Sequence, residues 1–202
     1  MLKNIVFDMG MVLLAWNPKQ SCLRHCDTPE RAERLHNLLF QSPEWAGCID
    51  TGKMHIDEYL NLMLTRSLEE DKPYIRKILS DYWIDALYPI AGMEELVKEL
   101  LEKGYRLYLL SNVGYQYHDF SYKIIDIKRF SGVLLSCEQK MVKPDPAIYQ
   151  RLCDLYGLKP EECLFVDDVE KNVQGARSIG MHALCFDGTP ACVEKEIQKL
   201  QN

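Results

Sequence analysis

Lys3-Asn4-Ile5-Val6-Phe7-Asp8-Met9-Gly10-Met11-Val12-Leu13-Leu14 is the stretch from which the rest of the chain is read. Ile5, Val6 and Phe7 are β-formers in a short run without helical period, so they predict a strand buried on both faces. Asp8 then stands at its carboxyl end. An ionised Asp beside an apolar core is costly unless a cation, hydrogen bonds or a proton compensate it, which makes Asp8 a candidate metal ligand or nucleophile. The competing reading is a turn residue, and within this segment both stand.

Outward from that strand, about seventy residues have helical period and no strand pattern. Ala32, Leu35, Leu38 and Leu39 make one stripe. Ile56, Tyr59, Leu60, Met63 and Leu64 fall at i, i+3, i+4, i+7 and i+8, as do Ile75, Ile78, Leu79, Tyr82 and Trp83, with Gly52 and Pro73 as punctuation. The pattern predicts an insert of about four helices, and its place directly after the strand carrying Asp8 suits a lid.

From Pro89 helix and strand alternate. A helix over 93–101 ends at Gly104, and a strand over 105–110 leads to Ser111-Asn112. A short strand follows over 132–136, then a helix over 146–156 closed by Gly157, and a strand over 163–166 running into Asp167-Asp168. A helix over 173–179 closed by Gly180, a strand over 182–186 and a helix over 193–200 complete the order. The expected fold is α/β, a doubly wound parallel sheet (Rossmann-like core) with an inserted small helical-bundle cap. Residues 1–14 and 89–202 would form the core and 15–88 the cap.

Composition narrows the function classes. The chain has 202 residues, 47% of them hydrophobic and 27% charged, which is ordinary for a globular protein with one core or a core and a small insert. A formal charge of -6 offers no broad basic footprint for nucleic acid or anionic lipid and points to small-molecule partners. The eight cysteines, at 22, 26, 48, 137, 153, 163, 185 and 192, contain no C-x-x-C pair and read as free thiols of a reducing compartment. Asp8 interrupts the apolar start before it can serve as a signal peptide, and no stretch is long enough to span a membrane. A cytoplasmic location is expected; oligomeric state is not legible here.

In doubly wound sheets, ligands bind outside the carboxyl ends of the strands where strand order reverses. Asp8, Ser111 with Asn112, Lys143, and Asp167 with Asp168 would all face that crevice. Taken singly, each has a plain alternative: a turn and N-cap pair, a solvated lysine, a turn with like charges. Lys143 precedes Pro144, which biases it toward an extended conformation, while Asp145 reads as N-cap and Pro146 as N1 of the next helix. Adjacent carboxylates at a buried strand end repel unless a cation neutralises them, and hard oxygen ligands suit Mg²⁺.

The set Phe-Asp8-Met-Gly10-Met-Val-Leu, Leu-Leu-Ser111-Asn112, Lys143-Pro-Asp-Pro and Phe-Val-Asp167-Asp168-x-x-x-Asn172 resembles, in order and spacing, the four motifs of the haloacid dehalogenase-like hydrolase superfamily. The insert resembles its small helical cap. The Asp-x-Gly first motif is most similar to a branch of cytoplasmic sugar-phosphate phosphatases of the α-glucose-1-phosphate type. The resemblance implies a phosphoric monoester hydrolase for small phosphorylated metabolites, with Asp8 as nucleophile and an aspartyl-phosphate intermediate. It implies Mg²⁺ held by an Asp8 oxygen, the Gly10 carbonyl and Asp168, with Asp167 as a neighbouring or alternative ligand; the spacing of Asn172, four residues after Asp168, favours Asp168. Ser111, the Asn112 amide and Lys143 would grip the phosphoryl oxygens.

Gly10 departs from the phosphatase pattern, which has a second Asp there as general acid and base. A glycine transfers no proton, so help worth about 10² to 10⁴ in rate must come from elsewhere or be replaced by a good leaving group. Cap candidates are His25, Asp50 and His55, and cap residues such as Trp45, Lys53 and Tyr59 would set selectivity. Two other readings remain: a carbon-halogen hydrolase of the same superfamily, which has no need of the Asp167-Asp168 pair, and a non-catalytic phospho-ligand-binding module, against which the retained Asp8 argues.

Overall fold

The computed structural model describes residues 1–80, 87–124 and 126–201. Its centre is β1 (Asn4–Phe7), wholly buried as the apolar run requires. The chain leaves β1 through a turn into β2 (Leu14–Trp16) and then four helices: α1 (Pro18–His25), α2 (Pro29–Phe40), α3 (Ile56–Arg66) and α4 (Lys72–Ile78). It returns through β3 (Leu87–Pro89) into α5 (Met93–Glu102), β4 (Arg106–Ser111), α6 (Tyr117–Phe120), β5 (Gly132–Leu135) and α7 (Ser136–Gln139). Then come α8 (Pro146–Tyr156), β6 (Cys163–Asp167), α9 (Glu170–Ser178), β7 (His182–Cys185) and α10 (Pro190–Gln201).

Five strands form a parallel sheet in the order β5-β4-β1-β6-β7. Alternation along β1 sends Ile5 and Phe7 to one face and Val6 to the other. Ile5 and Phe7 share a core with Met93, Leu96 and Val97 of α5 and with Val193 and Ile197 of α10. Val6 shares one with Ile148 and Leu152 of α8 and Val173 and Ala176 of α9. Helices therefore cover both faces, as a doubly wound sheet demands. Strand order reverses around β1, with β4 on one side and β6 on the other, and Phe7 sits opposite Leu109 and Val166. At the carboxyl ends of these three strands stand Asp8, Ser111 and Asp167, at the switch point where such sheets open a crevice.

The four inserted helices bury Cys22, Leu35, Leu39, Tyr59, Met63 and Ile75 in a third cluster of their own. Of the stripe expected on the last of them, Tyr82 and Trp83 lie outside the described residues. Two departures from the sequence reading stand out. Strand-like sequence does not stop at β1: β2 and β3 pair antiparallel, Leu14 against Pro89 and Trp16 against Leu87, and join the entry and exit of the insert. A three-residue strand shows too little alternation to be read, and its partner lies seventy residues on. The strand expected over 132–136 stops at Leu135, because Ser136 begins a helical turn.

Helix punctuation follows the sequence elsewhere. Asp145 caps α8 by accepting from the Ala147 amide at 2.9 Å, with Pro146 at the first position and Gly157 at φ +63° closing the helix.

Candidate active site

Asp8 begins where β1 ends, its amide donating to the Val166 carbonyl at 2.9 Å, so its carboxylate projects from the middle of the crevice. Lys143 is buried, so it is not the solvated lysine that was its plain alternative. Its Nζ lies 2.7 Å from Asp8 Oδ1 and 2.7 Å from Asp167 Oδ2, below the ring of Phe165. Asn112 fixes the lysine's backbone from both sides: its Oδ1 accepts from the Lys143 amide at 2.8 Å and its Nδ2 donates to the Lys143 carbonyl at 3.0 Å. The Asn112 side chain is thereby engaged in placing Lys143. Ser111 and Asn112 both line the cavity in front of Asp8.

Asp167 is fully buried and saturated. It accepts from Lys143 Nζ, from Asn172 Nδ2 at 3.0 Å to each oxygen, and from the Val169 amide at 2.8 Å. Asn172 thus holds Asp167, not Asp168, which overturns the reason the spacing gave for preferring Asp168. Asp168 keeps its claim on different grounds: its partly exposed carboxylate is open, whereas the Asp167 oxygens are already committed.

One carboxylate oxygen from each of Asp8, Asp167 and Asp168 lies within 4.8 Å of the others. Burial pushes the Asp8 carboxyl up to about 6, the charge of Asp167 adding to the rise and Lys143 opposing it. Burial and then Asp167 raise Asp168 as well. Among the described residues Lys143 is the cation in contact with this cluster, and one ammonium does not balance three carboxylates. All-oxygen donors with surplus negative charge fit a hard divalent cation, Mg²⁺ above all.

A cavity of about 210 Å³ opens in front of Asp8. Asp8, Gly10, Ser111 and Asn112 form its polar end, while Trp16, Trp45, Ile49, Leu87 and Phe120 form an apolar wall interrupted by Asp50 and Gln116. The Asp50 carboxyl is pushed up to about 7, first by burial and then by the charge of Asp8, with Lys143 opposing.

The cap candidates separate cleanly. Trp45 and Asp50 line the cavity; His25, Lys53, His55 and Tyr59 are not among its lining residues. His55 stacks on Tyr115 with ring centroids 4.6 Å apart, and Tyr59 is buried inside the helical insert, its hydroxyl 2.7 Å from Ser42 Oγ. Trp16, Gln116 and Ser136 escaped the sequence reading. Ser136 Oγ accepts from the Val113 amide at 2.9 Å and donates to the Asp50 carbonyl at 2.5 Å, tying insert to core. A lone Ser at a strand end carries no signal of such a role.

Residues 2–180 match the haloacid dehalogenase-like hydrolase family. A sesquiterpene phosphatase of Aspergillus oryzae is 27% identical over 95% of this chain and 94% of its own length. An (S)-2-haloacid dehalogenase of Burkholderia cepacia is 32% identical over 91% of this chain and 82% of its own. Other relatives are longer, the match taking in 11% of one and 39% of another. The structure of a HAD-like family hydrolase from Porphyromonas gingivalis superposes with a TM-score of 0.75 at 25% identity, covering 100% of this chain and 99% of that one. The chain belongs to the haloacid dehalogenase-like hydrolase family.

Proposed function

We propose that this haloacid dehalogenase-like hydrolase is a phosphomonoesterase for small phosphorylated metabolites that works through an aspartyl-phosphate on Asp8. The observation that carries the reading is the surplus of carboxylates around Asp8. A phosphate dianion cannot approach three carboxylates and one ammonium without a further cation, and a site built to hold that cation is what phosphoryl transfer requires. Displacement of halide from carbon makes no such demand, so the cluster favours phosphatase chemistry over the dehalogenase reading that one relative would suggest.

Asp8, Asp168 and the Gly10 carbonyl would hold Mg²⁺, with Asp167 beside them. When bound, the ion neutralises charge on the cluster and on the phosphoryl oxygens. The chain's own groups do the rest. Lys143 holds Asp8 by one oxygen, leaving the other to attack phosphorus, and its buried positive charge offsets part of the charge of Asp8 and Asp167. Ser111 and the Asn112 amide orient the phosphoryl oxygens. Residues 15–88 act as the cap, contributing Trp45 and Asp50 to the cavity wall. Eight free thiols, Cys22 and Cys163 among them buried, fit a cytoplasmic setting. No helix among the described residues is long and apolar enough to cross a membrane.

The apolar wall bears on the leaving group. An aryl or prenyl alcohol would meet Trp16, Trp45, Leu87 and Phe120 with apolar surface throughout, while a sugar offers only one such face to an indole. Sugar phosphates thus remain substrates of the proposal, with aryl and prenyl phosphates ahead of them in kcat/KM. The test is phosphate release from p-nitrophenyl, prenyl and sugar phosphates and from 2-chloropropionate as a halide control, with Mg²⁺ and with EDTA. Phosphate release that EDTA abolishes supports the reading; halide release, or binding without turnover, assigns the protein to the alternatives.

A further inference from the structure

Catalysis by Asp8 leaves a proton unaccounted for, because Gly10 stands where this mechanism would place an acid. The space is there but nothing fills it: a Cβ on Gly10 would meet no atom within 4 Å. To the lining of the same cavity the insert supplies a carboxylate. Asp50 follows the π-helical turn Trp45–Ile49, its amide donating to the Trp45 carbonyl at 3.2 Å. Asp8, Gly10 and Asp50 all line the cavity.

The segment bearing Asp50 is fastened to the core. Ser136 Oγ donates to the Asp50 carbonyl, and Lys140 Nζ donates to the Gly52 carbonyl. Gly52, at φ +64°, lies against the Cys137 carbonyl so closely that a Cβ would come within 2.3 Å of its oxygen. These contacts all use the backbone of 50 and 52, so they explain why the turn is docked and not why residue 50 is an acid. Among the described residues the Asp50 carboxylate has no hydrogen bond or ion pair, and its neighbours Trp45, Ile49 and Val113 make an apolar setting in which a carboxylate costs free energy.

We propose that Asp50 is the proton donor and acceptor of the reaction, taking the role that Gly10 cannot. The assignment rests on the phosphatase reading. As an Asp8 oxygen bonds to phosphorus and the ester P–O bond breaks, the Asp50 carboxyl gives its proton to the departing oxygen, which leaves as the alcohol. The Asp50 carboxylate then takes a proton from the water that attacks the aspartyl-phosphate; the acyl-phosphate P–O bond breaks, inorganic phosphate leaves, and Asp8 returns as a carboxylate. Burial favours the proton on Asp50, which is the form the first step consumes.

The test is kcat/KM for p-nitrophenyl, phenyl and n-butyl phosphate, in order of rising leaving-group pKa, on the parental protein and on Asp50→Asn. Asn keeps every backbone contact of the turn. The expected result is a shallow dependence for the parent and a steep one for the variant, with a loss of about 10²- to 10⁴-fold on the butyl ester and a much smaller loss on the nitrophenyl ester. The variant should also release a burst of nitrophenol, because it lacks the base for the second step. Ratios between esters do not depend on how much enzyme is folded, so a structural defect would lower all three together. Equal slopes in parent and variant overturn the assignment of Asp50 alone. A parent inert toward all three esters overturns the phosphatase reading, and this proposal with it.

Discussion

Replacing Lys143 by Met keeps most of the volume of the side chain and deletes its charge. The Lys143 side chain is 1% exposed, and its Nζ lies 2.7 Å from one oxygen of Asp8 and 2.7 Å from one of Asp167. Hydrogen bonds to charged groups are worth roughly 1.5–3 kcal/mol each, so the two come to about 3–6 kcal/mol. That agrees with the roughly 3–5 kcal/mol lost when one partner of a buried ion group is removed and the other charge is left behind. The deficit has a fixed pH dependence. Burial pushes the Asp8 carboxyl up to about 6, above its unfolded value, so ionised Asp8 weighs against the fold at high pH and the weight lifts as pH falls through 6. Lys143 holds that value down; without it the carboxyl rises further. The variant should therefore show its full deficit near pH 8 and a smaller one near pH 5, where the carboxyl takes up its proton. Urea unfolding of EDTA-treated parent and variant at the two pH values reads both numbers. A deficit under about 1 kcal/mol near pH 8, the size of a surface ion pair, would refute the reasoning, and so would equal deficits at both.

Three further outcomes follow from the same site. Asp8→Asn should fold normally and release phosphate at less than about a hundredth of the parental rate, a barrier difference of roughly 2.7 kcal/mol; a faster rate removes Asp8 from the nucleophile role. Asp168→Ala should abolish the rise in melting temperature that Mg²⁺ gives the parent while leaving the metal-free melting temperature within a few degrees, whereas Asp167→Ala, which strands Lys143 and Asn172, should lower the metal-free value by much more. Gly10→Asp introduced on the Asp50→Asn background should recover part of the n-butyl phosphate turnover, since the new side chain enters open cavity; a folded double variant with no recovery would mean that the space beside Asp8 is not aligned with the leaving oxygen.

Much of this was legible because the core obeys local rules. Ile5, Val6 and Phe7 announce a buried strand by composition alone, and Gly104, Gly157 and Gly180 end their helices at left-handed residues as written. The convergence of Asp8, Lys143 and Asp167 was also readable, because topology brings strand ends together whatever the side chains do. What was not legible is how those side chains pair. Asn172 follows Asp168 by four residues and Asp167 by five, and spacing cannot say which carboxylate it reaches; the rotamers choose Asp167. Lys143 carries a charge that in most settings seeks water, so its burial depends on two carboxylates contributed by distant strands. Asp50 could not be separated from His25 and His55 until the insert was docked, and Ser136 and Lys140, which help to dock it, lie nearly ninety residues further along.

The sheet order also sets a timetable on the ribosome. The strand carrying Asp8 is made first but belongs in the middle, between partners that begin at residues 106 and 163. At about 5–20 residues per second, it waits roughly 5–20 s for the first of them. Meanwhile the insert, whose buried cluster is drawn from the contiguous run between Cys22 and Leu79, can consolidate from nearby contacts alone. Through that interval Ile5, Val6 and Phe7 form an unpaired apolar segment of the kind that seeds aggregation, bracketed by Lys3 on one side and Asp8 on the other. Charges placed so are gatekeepers. Asp8 thus guards the nascent chain before the site around it has been assembled.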